Sequence, residues 1–334
     1  MVGGFRYLDH FVNSLTNNGI LNGIIFVIAV IGFRFVIDIP FDIYKIFFIE
    51  ERFGNNRNTF KNYILDLIKA LPINFILFIP SLTIFLYCFQ IIGLYAWWQI
   101  WIYIATILFL LQIVAPTIIL PVFFKVKNIG DLNIIGSLED LCDATGISVS
   151  KIVSIDSSKR NLKANAFFAG ILGSKSIVLY DTIIELLSID ELKAVLAHEI
   201  GHYKNKHIII NFSLELIFVG IFLYSYMYFL SDNRILNAFY VYNFSYATYL
   251  VLFYIFFSSF SPIYTLVSNL INRKMEYAAD KYSSIYAGNE NLISALKKLA
   301  INRLYSSAYH PIHSFLYSSH PSIEQRIDAL DKKE

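Results

Sequence analysis

Ser188 to Ser231 reads SIDELKAVLAHEIGHYKNKHIIINFSLELIFVGIFLYSYMYFLS, and its two halves suit two different solvents. Ser188 with Glu191 three residues on is a capping box, so a helix starts there and runs for about fifteen residues. On that helix His198, Glu199 and His202 form the pattern His-Glu-x-x-His. The pattern sets two imidazoles four residues apart on one face, the separation that binds one zinc ion. The stretch from Ile208 to about Ser231 then holds one charge, Glu215, and is long enough for a bilayer crossing, which needs about 20 apolar residues. A metal-ligand helix that runs on into an apolar span predicts an integral membrane metalloenzyme. The bland alternative is that the two histidines are polar residues on an amphipathic helix.

Working outward, the whole chain shares this bias. Its 334 residues are 56% hydrophobic and 16% charged, with a mean hydropathy of +0.55, more apolar than a soluble domain. Four further stretches qualify as spans: Ile20 to Ile49, Ala70 to Ile92, Leu94 to Phe124, and the charge-free run between Arg234 and Arg273. Pro262 divides the last into a span and a following helix with the proline in its first turn. Pro40, Pro72, Pro80, Pro116 and Pro121 predict kinks, since neighbouring helices satisfy the backbone groups they free. Arg34, Asp38 and Asp42 recur every four residues on one face of the first span. They read either as a polar wall facing protein or trapped water, or as interface residues beyond a shorter span.

Orientation follows from the basic residues. Arg52, Arg57, Lys61, Lys125, Lys127, Lys204, Lys206, Arg273 and Lys274 fall on one set of loops, and the other set holds only Arg234. The basic loops, the active site and the C-terminus are therefore expected on the cytoplasmic side, of a bacterial inner membrane or, in a eukaryote, of the endoplasmic reticulum. The first 19 residues are polar and show no signal-peptide pattern, so no cleaved leader is expected. Cys88 and Cys142 read as free thiols. A net charge of +2, with no basic run interleaved with aromatics, is too small to argue for a nucleic-acid partner, and none is expected. The 17% aromatic content reads as membrane packing.

The expected fold is an all-α polytopic membrane protein with a small β-hairpin or three-stranded sheet in its catalytic segment and a zincin-like site. Four segments follow: 1–124, a polar start and three spans; 125–207, the catalytic segment; 208–260, two further spans; and 261–334, C-terminal helices. In the second, Asp131 to Ala144 is an amphipathic helix closed by Gly146, and Ile152 to Ile155, Ala166 to Ala169 and Ser176 to Tyr180 are short strands. Ser157 to Lys163 and Gly170 to Lys175 separate them.

Catalytic zinc takes three protein ligands and keeps one open position. Glu276, in MEYAAD on the helix after Pro262, is the best third ligand, and Asp280 falls one turn later on the same face, placed to orient a ligand imidazole. Alone, the pair would read as solvated partners of Arg273 and Lys274; beside the first motif it reads as chemistry. Glu199, next to the metal, would take the proton of the attacking water and hand it to the leaving amine.

Several separate blocks resemble the Ste24-type CAAX prenyl proteases of the M48 metallopeptidases: FIEERFG (48–54), SSKRNLKANAFFAG (157–170), IVLYDTI (177–183), AHEIGHYKNKH (197–207), SPIYTLVSNLINRKMEYAAD (261–280) and SSHPSIEQRI (318–327). The resemblance covers nearly everything after about residue 20. It implies spans enclosing a water-filled chamber, one zinc per chain facing inward near the cytoplasmic side, and peptide substrates, lipidated in the prenylated CAAX case. It further implies that Asn165 and His320 line the site, Asn165 holding the substrate backbone against an edge strand and His320 stabilising the oxyanion, with Arg326 bracing them. By residue type alone, Asn165 reads equally as a turn cap and His320 as structural. His207, off the ligand face, is expected to be structural, and His310 and His313 carry no assigned role.

The chain departs from the family in lacking, by this reading, the two spans upstream of the first, so that a chamber would close by homo-oligomerisation or open laterally to membrane lipids. Ser322 replaces a second proline, and Ala197 a glycine. The FIEERFG block and the SSKR-to-NAFF spacing favour the Ste24 type over the related HtpX quality-control proteases. A non-catalytic lipid-peptide scaffold is a third reading.

Overall fold

The computed structural model describes residues 4–169, 175–230, 232, 234–242, 244–302 and 310–332. Nearly all regular structure is helical, with one small mixed sheet. Among the described residues, three helical runs are long and apolar enough to cross a membrane: Gly19–Glu50, Phe60–Phe123 and His207–Phe229. A fourth candidate is the pair Tyr246–Ser258 and Ser261–Ala287, bent by 57° at the break that Pro262 predicts. At about 1.5 Å per residue, the 64-residue run Phe60–Phe123 is about three times the roughly 30 Å hydrocarbon thickness. It turns at Gly93, whose φ of +72° lies where a side chain would strain, and at the tight 3-10 segment Gly93–Ala96. π-helical turns follow Pro40 at Lys45–Glu50 and surround Pro116 at Ala115–Ile119.

Chain contacts separate two compact units, 1–49 with 64–109 and 214–262, and 50–63 with 110–213 and 263–334. The first is built on aromatic packing. Tyr226, Tyr249, Phe89 and Phe253 are fully buried, and Tyr226 meets Phe89 at 5.0 Å and Tyr249 at 5.4 Å between ring centroids, both edge-on. In lipid such packing, with internal hydrogen bonds, replaces the hydrophobic effect as the force between helices. The Tyr226 hydroxyl accordingly donates to the carbonyl of Tyr246 at 2.9 Å, and the Trp101 indole to that of Leu216 at 2.8 Å. Gly23 is a close-approach position: a Cβ there would lie 2.8 Å from Ala247 Cβ. The polar start expected of the chain is instead the helix Gly4–Leu15, which buries Asp9 and Val12. Thr248 donates to Asp9 at 2.9 Å. Arg34 and Asp38 pair at 3.4 Å with exposed side chains, and both cysteines are free.

The second unit carries a four-stranded sheet: β1 (Val126–Asn128), β2 (Lys151–Ile155), β3 (Ala166–Ala169) and β4 (Ser176–Tyr180), in the order β1-β2-β4-β3. β2 and β4 are parallel and the other pairs antiparallel, so β3 is an edge strand of the described sheet. The expected three-stranded arrangement gains β1, whose three exposed residues carry no alternating pattern to read. The helix Leu132–Ala144 is capped by Asp131, and Gly146 beyond it has φ +63°. The Gly170 to Lys175 connection, apart from Lys175, lies outside the described residues.

The helix Ile189–Lys204 is held by its N-terminal cap and by its buried face. Both halves of the Ser188–Glu191 capping box are present, and Leu196, Ala197 and Ile200 share one buried core with Ile177 and Leu179 of β4. Glu191 also accepts from Ser294 at 2.6 Å and from Lys298 at 2.7 Å. Against the upward push of burial, these donors and the Ser188 amide hold its carboxyl at about 2. Glu191→Ala is therefore expected to destabilise the protein by about 2–3 kcal/mol, a lost cap plus lost charged hydrogen bonds. Because the folded carboxyl titrates below the ordinary glutamate, this contribution is complete above about pH 4.5 and disappears as pH falls toward 2. Melting curves of both proteins in detergent across that range should converge at the acid end.

Candidate metal centre

The helix period puts His198 and His202 on one face of Ile189–Lys204, with their Nε2 atoms 3.1 Å apart. The glycine between them decides what can approach. A Cβ on Gly201 would lie 2.9 Å from Tyr282 Cβ and 3.0 Å from Ala279 Cα, so the helix Ser261–Ala287 crosses almost backbone to backbone. Ser283 clasps the same crossing by donating to the carbonyl of Ala194 at 2.7 Å. This contact delivers Glu276, 3.6 Å from His198 Nε2 through Oε2 and 3.4 Å from His202 Nε2 through Oε1.

Two imidazole nitrogens and one carboxylate oxygen, mutually within 4.8 Å, form a possible metal-binding group. A tetrahedral ion with bonds of about 2.0–2.1 Å holds adjacent ligand atoms about 3.3–3.4 Å apart. The three separations bracket that value, and a nitrogen-nitrogen-oxygen donor set suits zinc.

The remaining ring nitrogens are both occupied, and the carboxylate partner of His198 fixes that ring's tautomer. His198 Nδ1 lies 2.9 Å from Asp280 Oδ1, so its proton is donated there and the Nε2 lone pair points at Glu276. Asp280 in turn accepts from Arg326 through both oxygens, at 2.8 Å from Nε and 2.5 Å from Nη2. Arg326 Nη1 also reaches Glu276 Oε2 at 3.3 Å. Burial disfavours the guanidinium charge, but Asp280 outweighs it and raises the Arg326 pKa above its ordinary value. His202 Nδ1 lies 2.8 Å from His207 Nδ1, the counterpart of the Asp280 contact.

Sequence spacing places His207 off the ligand face because it treats the helix as continuing. The helix instead ends at Lys204, and Lys206 adopts φ +57°. This left-handed residue reverses the chain and swings His207 back onto His202. The only signal was the polar Lys204-Asn205-Lys206 break between the motif and the next span.

Glu199, Asn165 and His320 line, with the three ligand-type residues, a cavity of about 440 Å³. Glu199 is half-buried, and desolvation pushes its carboxyl above the ordinary range, partly countered by the two histidines. His320 is more than half exposed, and its Nδ1 lies 2.9 Å from Glu276 Oε1. Asn165 immediately precedes β3 at the sheet edge. Seven of the eight residues expected from the sequence, Arg326 included, line this cavity; Asp280 does not, and meets it only through His198 and Arg326. His310 caps the helix Pro311–Tyr317, and His313 rings against Tyr317, neither of them lining this cavity.

Residues 131–334 match peptidase family M48, and residues 1–125 match the CAAX prenyl protease N-terminal region, described as five membrane helices. The second match overturns the expectation that two N-terminal spans of the family are missing. Counting charge-poor stretches does not recover it, since Gly4–Leu15 is a short helix with a buried carboxylate and not an apolar run. The chain is 32% identical to CAAX prenyl protease 1 of Saccharomyces cerevisiae over 312 residues, covering 89% of this chain and 69% of that protein. It is 34% identical to the Dictyostelium discoideum homolog over 322 residues, covering 95% and 74%. The crystal structure of S. mikatae Ste24p superposes with a TM-score of 0.93 at 29% identity, over 98% of this chain and 81% of that one.

Proposed function

This chain belongs to peptidase family M48, in its Ste24-type CAAX prenyl protease branch, and from that membership we propose that it hydrolyses the peptide bond following the prenylated cysteine of CAAX substrates. It is a membrane metallopeptidase with several membrane helices, acting on a peptide or protein. His198, His202 and Glu276 would hold one zinc ion per chain. When bound, zinc supplies a water of lowered pKa and polarises the scissile carbonyl.

The chain's own residues do the rest. Glu199 accepts the proton of the attacking water and returns it to the leaving amine nitrogen, and a carboxyl pushed upward by burial is suited to both transfers. His320, open to the cavity, donates to the oxyanion. Asn165 aligns the substrate backbone along the β3 edge, where an extended peptide adds as another strand. Asp280 and Arg326 hold the His198 ring, and His207 holds that of His202. The site draws on 125–207 and 261–334 together, and the distribution of basic residues among the loops supports a site facing the cytoplasm.

The observation that carries this reading is the convergence of Glu276 on His198 and His202 across the Gly201 crossing. Purified full-length chain is expected to release the terminal tripeptide from a farnesylated CAAX peptide, to stop on chelation and to recover with zinc. Cleavage of casein but not of the farnesylated peptide would replace this reading with quality control. His207→Ala is expected to weaken zinc retention roughly 10–100-fold, as loss of a ligand's hydrogen-bond partner does. Competition with a zinc chelator measures it.

A further inference from the structure

We infer that the isoprenoid chain of the substrate lies in an apolar cleft at the free edge of β3, directly beside the catalytic cavity. The inference rests on the prenyl-peptidase reading and specifies where the lipid goes. A second cavity, of about 540 Å³, is lined by Phe167, Phe168, Ile119, Phe123 and Ile208, among others, with Gln112 the single polar residue among the described residues of its wall. Its volume suits a small ligand. A wall with no ionisable group selects a hydrocarbon over any charged ligand.

Its position follows from the strand. Successive residues of a strand face opposite sides of the sheet. Phe167 packs with Val153 and Val178 on one side, and Phe168 stacks near Tyr203, at 5.2 Å, on the other. A cavity touched by both therefore wraps around the strand's edge, the edge to which a substrate strand adds. The catalytic cavity is lined by Asn165 and Ala166, the two residues just before them.

A substrate added antiparallel to β3, with the bond to be cut beside Asn165 and Ala166, places the preceding residue alongside Phe167 and Phe168. In a CAAX substrate that residue is the prenylated cysteine. Its thioether chain then enters the cleft without leaving the strand register. Another part of the wall is the π-helical segment Ala115–Ile119, whose widened turn surrounds Pro116. Phe123, Ile119, Phe167 and Phe168 are only half-buried, which leaves apolar surface for a ligand to cover.

The test uses the full chain carrying Glu199→Gln in lipid nanodiscs, and a CAAX peptide whose farnesyl group bears a diazirine. Adducts formed on irradiation are mapped by mass spectrometry, with and without excess unlabelled farnesylated peptide. The expected result is adducts concentrated within residues 112–124 and on Phe167 and Phe168, lowered at least tenfold by the competitor. Competed adducts that map elsewhere overturn the cleft but leave the prenyl-peptidase reading intact. Adducts in the cleft that the competitor does not lower mark lipid partitioning and also overturn it. If the wild type fails to cut the farnesylated peptide, the functional reading falls first and takes the cleft with it. Ala115→Trp, which fills the cleft, gives an independent readout. The ratio of kcat/KM for geranylgeranylated over farnesylated peptide is expected to drop at least fivefold, and an unchanged ratio contradicts the assignment.

Discussion

Glu199→Gln is expected to lower kcat for peptide hydrolysis by about 10²–10⁴-fold, the range a positioned general base supplies, while bound zinc stays at one per chain. The two readouts separate because Glu199 lies beside the proposed ligands without being one of them. Glutamine keeps the size and hydrogen-bonding reach of the side chain but cannot accept a proton. Its neutrality also suits a position where burial already disfavours the charged carboxylate. The substituted chain should therefore fold and bind substrate normally. A parallel loss of zinc would mean that Glu199 serves the metal and not the proton.

Glu276→Ala is expected to do the reverse and weaken zinc binding by more than about 100-fold, beyond the loss typical of a supporting residue. Glu276 is one of three ligand-type groups, and the ones it meets, His198 and His202, come from a different helix. Removing it leaves two imidazoles alone, too few for a catalytic zinc site. It also deprives Arg326 Nη1 and His320 Nδ1 of a carboxylate, while Asp280 still satisfies the rest of the guanidinium. Folding should survive on the Gly201 crossing and the Glu191 cap, both independent of Glu276. Metal content by plasma mass spectrometry, with melting as the control, separates loss of the ion from loss of the protein.

These expectations were legible in the sequence to the extent that local chemistry determined them. The capping box of Ser188 and Glu191, the four-residue histidine spacing and the break at Pro262 are short-range signals, and each has its counterpart in the structure. Asp280 was readable for the same reason, being one helical turn from Glu276. What escaped depended on backbone geometry that residue type does not announce. β1 is held by pairing with β2 and not by its own three residues. His207 reaches His202 only because Lys206 turns left-handed. Gly201 could be read as part of the motif, but not as the position that lets Ala279 and Tyr282 approach so closely. The helix Gly4–Leu15 was hidden because its apolar face is short and its buried Asp9 looks like a surface residue.

The most direct measurement is an anomalous difference map collected at the zinc edge from crystals of the zinc-loaded chain. A single strong peak within bonding distance of His198 Nε2, His202 Nε2 and a Glu276 carboxylate oxygen is the predicted result. A peak bound elsewhere, or one that leaves Glu276 turned away from both imidazoles, would contradict it.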